Sequence, residues 1–139
     1  ERIGDLAVNI AERAIYLASN PPTEVSFEYR DMMKKTEAML RKSLDALVNL
    51  NVKLAREVCA ADDEVDEIER QIVAQVQRAI AENPEQVDRL LHHMFVARHL
   101  ERIADHATNI AEDVIYMVEG EIVRHAVADY FREREQTAE

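Results

Sequence analysis

Apolar residues recur along this chain at alternating spacings of four and three, the mark of helices that bury one stripe. Val96, Leu100, Ile103, Ala107, Ile110, Val114 and Met117 keep that spacing without a break. Asn83-Pro84 stands before this stripe and Gly120 behind it, the places of a helix start and a C′ glycine. The pattern predicts a helix over about residues 85–119. Ile3, Ala7, Ile10, Ala14 and Leu17 form the same stripe at the start of the chain, and Pro21-Pro22 ends it.

Two further helices are expected between these. One runs over about residues 25–60 on Leu40, Leu44, Leu47, Asn51, Leu54 and Val58, with Asn51 as a polar member that fixes register. The other runs over about residues 63–82 on Val65, Ile68, Ile72, Val76 and Ala79, with Asp62 or Asp63 as its N-cap. Short loops make neighbours antiparallel. The expected fold is all-α: an antiparallel three-helix bundle over residues 23–120, preceded by one extra amphipathic helix over residues 1–20. Residues 121–139 read as an extension. Ile122, Val123, Val127, Tyr130 and Phe131 can continue as helix, and the last residues are polar and frayed.

The two outer helices are copies of one another. ERIGDLAVNIAERAIYLA at residues 1–18 returns as ERIADHATNIAEDVIYMV at residues 101–118, with eleven of eighteen positions identical. One structural unit was duplicated, and the chain opens inside the last helix of the first unit. It lacks an initiating Met and is expected to be a fragment of a longer protein. The stripe of residues 3–17 has no bundle of its own. It must cover the bundle or pair with another copy of the chain, so a homodimer is expected.

Composition narrows the functions. Acids outnumber bases 28 to 17, the formal net charge is −11, and no basic run exists. Nucleic-acid binding, which draws on clustered Lys and Arg, is excluded as an expectation. An acidic surface suits cations or a basic partner. The single cysteine, Cys59, cannot form an internal disulfide and is expected to be a buried, inert thiol in a reducing compartment. No apolar run approaches the length of a membrane span, so no direct membrane insertion is expected. Two glycines cannot build phosphate-cradling loops, and no P-loop, dinucleotide turn or GxSxG occurs.

The candidate chemistry lies opposite the stripe of the last helix. Arg98, Glu101, Arg102, Asp105, Asn109 and Glu112 fall within an arc of about 100°. Glu101 and Asp105, four apart, stack one above the other and repel. The first copy repeats the row as Glu1, Asp5, Asn9 and Glu12, and Arg2 matches Arg102. Asp62 and Asp66 have the same spacing on the preceding helix. Acidic pairs on adjacent helices can converge on magnesium, manganese, calcium or ferric iron. The competing reading is a solvated face, with Asp62, Asp63 and Glu64 serving only a helix N-terminus. Retention of Glu, Asp, Asn and Glu after duplication favours a site. None of His92, His93, His99, His106 and His125 has an acid three residues before it, so they read as surface or interhelical polar residues.

The repeated ERIxDxAxNIAE, followed by IY and EGEIVRH, resembles the PhoU family, as does NVKLAREVCAADDEVDEIE at residues 51–69. The resemblance covers all but about the last ten residues. It implies two tandem three-helix bundles, of which this chain holds the final helix of the first and all of the second. It implies a metal ion or multinuclear metal cluster, with iron or zinc favoured, held by E/D-x-x-x-D motifs. These fall on Asp62 and Asp66, Glu101 and Asp105, and Glu1 and Asp5, with Asn9, Asn109 and Arg102 as possible additional polar-face residues. The first bundle's middle helix is missing, so Glu1 and Asp5 lack partner acids. The resemblance further implies a regulatory adaptor without catalytic activity. It would link the ATPase of the phosphate ABC importer to a sensor histidine kinase, in the cytoplasm at the inner face of the membrane. A metal-storage or metalloenzyme bundle using carboxylates alone is the alternative.

Overall fold

The computed structural model describes residues 1–120, and the expectations for residues 121–139 lie outside the described residues. Four α-helices carry the described residues: α1 (Arg2–Ala18), α2 (Tyr29–Asn49), α3 (Val52–Glu82) and α4 (Val87–Glu119), with a 3₁₀ turn at Pro84–Gln86. No strand occurs among the described residues. The ends of α4 follow the sequence signals. Asn83-Pro84 closes α3 and opens the turn, and Gly120 caps α4 in the left-handed region at φ 66°, its N–H donating to the Tyr116 carbonyl.

The break between α2 and α3 falls eleven residues before the expected one, with α2 ending at Asn49 and α3 starting at Val52. Leu50 takes the left-handed conformation at φ 49°. The Asn51 N–H then donates to the Ala46 carbonyl, and the Asn51 side chain accepts from the Leu54 N–H at 3.0 Å. Asn51 is therefore the N-cap of α3 and not a register residue inside one long helix. Asp62 and Asp63, expected as caps, sit in the middle of α3.

α2, α3 and α4 run up, down and up. Lys35 to Glu64 (2.6 Å) and Lys42 to Glu57 (3.3 Å) tie α2 to α3 in antiparallel register, and Arg56 pairs with Glu119 between α3 and the end of α4. The core is thin-skinned: Met32, Met39 and Ala46 from α2 meet Ala55, Val58, Val65, Ile72 and Val76 from α3 and Ala97, Ala104, Ala107, Ala111, Val114 and Ile115 from α4. Alanines on α4 bring the helices close together, and flexible methionines fill the remaining space. The buried row of α2 is consequently Met32, Thr36, Met39, Ser43 and Ala46. Leu44 and Leu47, expected in the core, stand on its exposed shoulder. Met117, expected at the end of the α4 stripe, is also exposed.

α1 folds back antiparallel on α4 and packs against no other helix. The Tyr16 ring stacks on His92 at 3.7 Å, Arg13 lies over the Phe95 ring, and Leu6 is buried. The expected α1 stripe is only partly used. Ile3, Ile10 and Leu17 are half-buried, and Ala7 and Ala14 face outward. The linker after α1 is pinned by His93, whose ring nitrogens reach the Thr23 hydroxyl (3.3 Å) and the Tyr29 hydroxyl (3.1 Å). No described helix is long and apolar enough to cross a membrane.

Candidate metal centre on the α3–α4 seam

Because α3 and α4 are antiparallel, acids on their facing edges meet in a row. Reading along the seam, Cys59 lies within the field of Glu112 and Asp62, Asp62 reaches Thr108, and Asp66 and Glu69 come to Glu101. Asp66, Glu69, Arg70, Arg98 and Glu101 line one open cleft of about 250 Å³. Arg70 is partly engaged, with its Nη2 at 3.2 Å from Glu67 and its Nε donating to the Asp66 carbonyl. Arg98 is exposed and its charge favours an ionised Glu101.

Glu101 carries the strongest electrostatic signal. Half-burial pushes its carboxyl up to about 7, helped by the negative charges of Asp105, Asp66 and Glu69 and opposed by Arg98. Four carboxylates within one field are costly to ionise together, and a bound cation removes that cost. The donor set is all oxygen, which fits a hard cation. No three His, Cys, Asp or Glu side chains converge on one point among the described residues.

The expected pairs separate into different roles. Asp66 and Glu101 line the cleft, and the exposed Asp105 lies outside its lining and acts on Glu101 through its charge. Asp62 lies one turn away and is buried, with 8% of its surface exposed, where it accepts a hydrogen bond from the Thr108 hydroxyl at 3.1 Å. It is eleven positions into α3, too far from the N-terminus to serve its dipole. Glu1 and Asp5 stand exposed on α1, and no α3-like helix packs beside them. Asn109 and Arg102 are exposed on α4, and Asn9 is half-buried on α1.

Two residues escaped the sequence reading. Glu69 is three after Asp66, a spacing that places both on one helix face, but it lies outside the E/D-x-x-x-D pattern. Thr108 sits among alanines in a buried stripe, and its only signal is that the first copy has Val8 in its place. His92 stacks on Tyr16 of α1, His93 meets Thr23 and Tyr29, and His99 lies within the field of Arg13 of α1. Burial and the charge of Arg13 hold His92 below its ordinary value, against the pull of Asp88, and burial also lowers His93 and His99. His125 is outside the described residues. Burial, then Glu112 and Asp62, push the half-buried Cys59 thiol up, which suppresses the reactive thiolate.

The chain as a whole is similar to known proteins. A PhoU homologue of Aquifex aeolicus, described as a phosphate-specific transport system accessory protein, is 44% identical over 125 residues, covering 90% of this chain and 57% of that protein. One from Clostridium acetobutylicum with the same description is 37% identical over 123 residues, covering 88% and 56%. The crystal structure of PhoU from Pseudomonas aeruginosa matches with a TM-score of 0.82 at 36% identity, over 87% of this chain and 58% of that one. The chain thus spans a little over half the length of the curated relatives it matches. The sequence model of the PhoU domain matches residues 29–114, all of α2 and α3 and most of α4. With the domain match, the relatives and the solved fold in agreement, the chain belongs to the PhoU family.

Proposed function

We propose that this chain is the larger part of a regulatory adaptor of phosphate uptake and the phosphate-starvation response. The adaptor is non-catalytic. It joins the ATPase of a phosphate ABC importer to a sensor histidine kinase, on the cytoplasmic side of the membrane and peripheral to it through those partners. The accessory role named for the homologous proteins supports this reading, and so does the match across nine-tenths of the chain. α1 is the last helix of a preceding bundle and α2 to α4 form the next one. The α3–α4 seam binds metal, iron or zinc in a mononuclear or multinuclear site, through Asp66, Glu69, Glu101 and Asp105, with Asp62 beside them. The observation that carries the metal is Glu101: a half-buried carboxyl surrounded by three more acids is paired best by a cation. Bound metal gives an otherwise anionic face the positive charge that an anionic ligand or partner surface can read.

The adaptor is tested by affinity capture with purified components. The tagged parent chain, loaded with iron or zinc, is expected to retain the importer's ATPase and the kinase's cytoplasmic domain. The metal-depleted Glu101→Ala/Asp105→Ala variant is expected to retain less of both. Capture of neither protein by a folded, metal-loaded chain contradicts the adaptor role.

A further inference from the structure

His92, Phe95 and His99 stand at i, i+3 and i+7 on α4, one stripe of that helix, and α1 lies along it. The Tyr16 ring of α1 is parallel to the His92 ring with centroids 3.7 Å apart, and the Arg13 guanidinium lies over the Phe95 ring at 5.4 Å. Arg13 thereby sits between the two histidines, and its charge reaches both. α1 packs against no other helix, so its seat on the bundle is this edge of α4. The helix motif itself does not demand the cation. The matching position in α4 is Asp113, which is exposed.

Three polar atoms of these residues are enclosed and have no hydrogen-bond partner among the described residues: Arg13 Nε, His92 Nδ1 and His99 Nδ1. A bare ring nitrogen enclosed in this way is an unused lone pair. The same nitrogen protonated is a charged donor with nothing to receive it, which costs far more. Each imidazole therefore fits the seam neutral, with its proton on Nε2. The surrounding charges act in the same direction. Burial disfavours charge on both rings, Arg13 adds to it, and Arg102 adds again at His99, against Asp88 at His92. The neighbouring His93 ring is occupied with the Thr23 and Tyr29 hydroxyls, Glu24 lines the cleft beside it, and Arg89 donates to the Pro21 carbonyl.

We propose that His92 and His99 form a pH-sensitive latch for α1, seating Tyr16 and Arg13 while both rings are neutral and releasing α1 from α4 when acid charges them. Two imidazolium rings on either side of a guanidinium repel it, and a half-buried seam screens that repulsion less than bulk water does. A docked ring takes up a proton less readily than a free one. The seat is thus at full strength above the ordinary imidazole value and is lost as pH falls below it. The buried core shared by α2, α3 and α4 holds no residue of α1, so α1 can leave without unfolding it. The latch makes access to this edge of α4 a function of pH.

Amide hydrogen exchange of the whole chain tests the latch, read as protection factors of α1 relative to α3 at about pH 7.5 and about pH 5. In the parent, α1 is expected to lose at least about tenfold in protection at the lower pH. His92→Gln/His99→Gln, whose side chains cannot charge, is expected to lose less than about threefold. Arg13→Glu is expected to reverse the sign, with α1 better protected in acid, because charged rings then attract the side chain they would otherwise repel. That reversal reads the latch even where glutamine loosens α1 at both pH values. Constant α1 protection in the parent overturns the latch. A parent-sized loss in acid by the double variant or by Arg13→Glu overturns it too, because the histidines or their cation are then not the agent.

Discussion

α1 and α4 are two copies of one helix with opposite surroundings. On α4 the row Ala104, Ala107, Thr108, Ala111, Val114 and Ile115 is sealed against α2 and α3. On α1 the matching row is Gly4, Ala7, Val8, Ala11, Ala14 and Ile15, and it is bare, with Val8 58% and Ile15 67% exposed. The motif has a second apolar side, and α1 uses that side on α4, burying Leu6 there while Ile103 closes over outside the main core. The helix is thus written with two faces, a flat alanine face for a pair of helices and a narrower one for its own repeat. Burial is decided by which neighbours are present, and the bare α1 face has the shape and chemistry of one that takes two helices.

The largest test of that contrast is a charge placed at matched positions. Ala107→Asp buries a carboxylate where nothing pairs with it and is expected to cost over about 3 kcal/mol, enough to unfold the bundle. Ala7→Asp, on the bare face, is expected to shift stability by no more than about 0.5 kcal/mol. Urea unfolding followed by circular dichroism measures both. Equal losses contradict the asymmetry.

Next in size is cavity formation. Ile115→Ala is expected to lose about 2–5 kcal/mol and Ile15→Ala about 0.5 kcal/mol or less. The exposed row on α1 also predicts a concentration-dependent dimer of this chain, weakened by Ile15→Ala and Val8→Asp in analytical ultracentrifugation. A parent chain that stays monomeric at the highest attainable concentration counts against that.

The smallest effect concerns the acid row. Glu101 titrates higher when folded than when unfolded, so the folded chain holds its proton more tightly. Stability from this group is full in acid and is lost as pH rises through about 7. Glu101→Gln is expected to flatten that slope and to gain about 1 kcal/mol or less at pH 8, after discounting for solvent screening. Metal affinity runs the opposite way, rising through the same pH range as the competing proton leaves. The matching change on α1, Glu1→Gln, lies at an exposed position and is expected to leave stability unchanged. A pH-independent difference between the parent and Glu101→Gln contradicts the assignment.

Much of this was legible in the residues, and what was missed has physical causes. The ends of α4 were readable because Pro84 and Gly120 punctuate them. The α2–α3 turn was hidden because Leu50, not glycine, takes the left-handed cap, and because Leu47, Leu54 and Val58 carry a helical period straight through it. The α2 core row was missed because hydropathy favours Leu44 and Leu47, whereas close approach to an alanine-rich α4 favours Ser43 and Ala46. The acid rows were readable from duplication and one-turn spacing. Burial of Asp62 and the contribution of Glu69 were not, since both depend on the register between α3 and α4, which no local pattern encodes.

The most direct test of the acid row is the metal content of the purified chain by mass spectrometry, with and without Glu101→Ala/Asp105→Ala. Iron or zinc is expected in the parent and is expected to fall to background in the variant while the helical spectrum is kept. The same metal content in both, or none in either after reconstitution with iron and with zinc, contradicts a cation site on the α3–α4 seam.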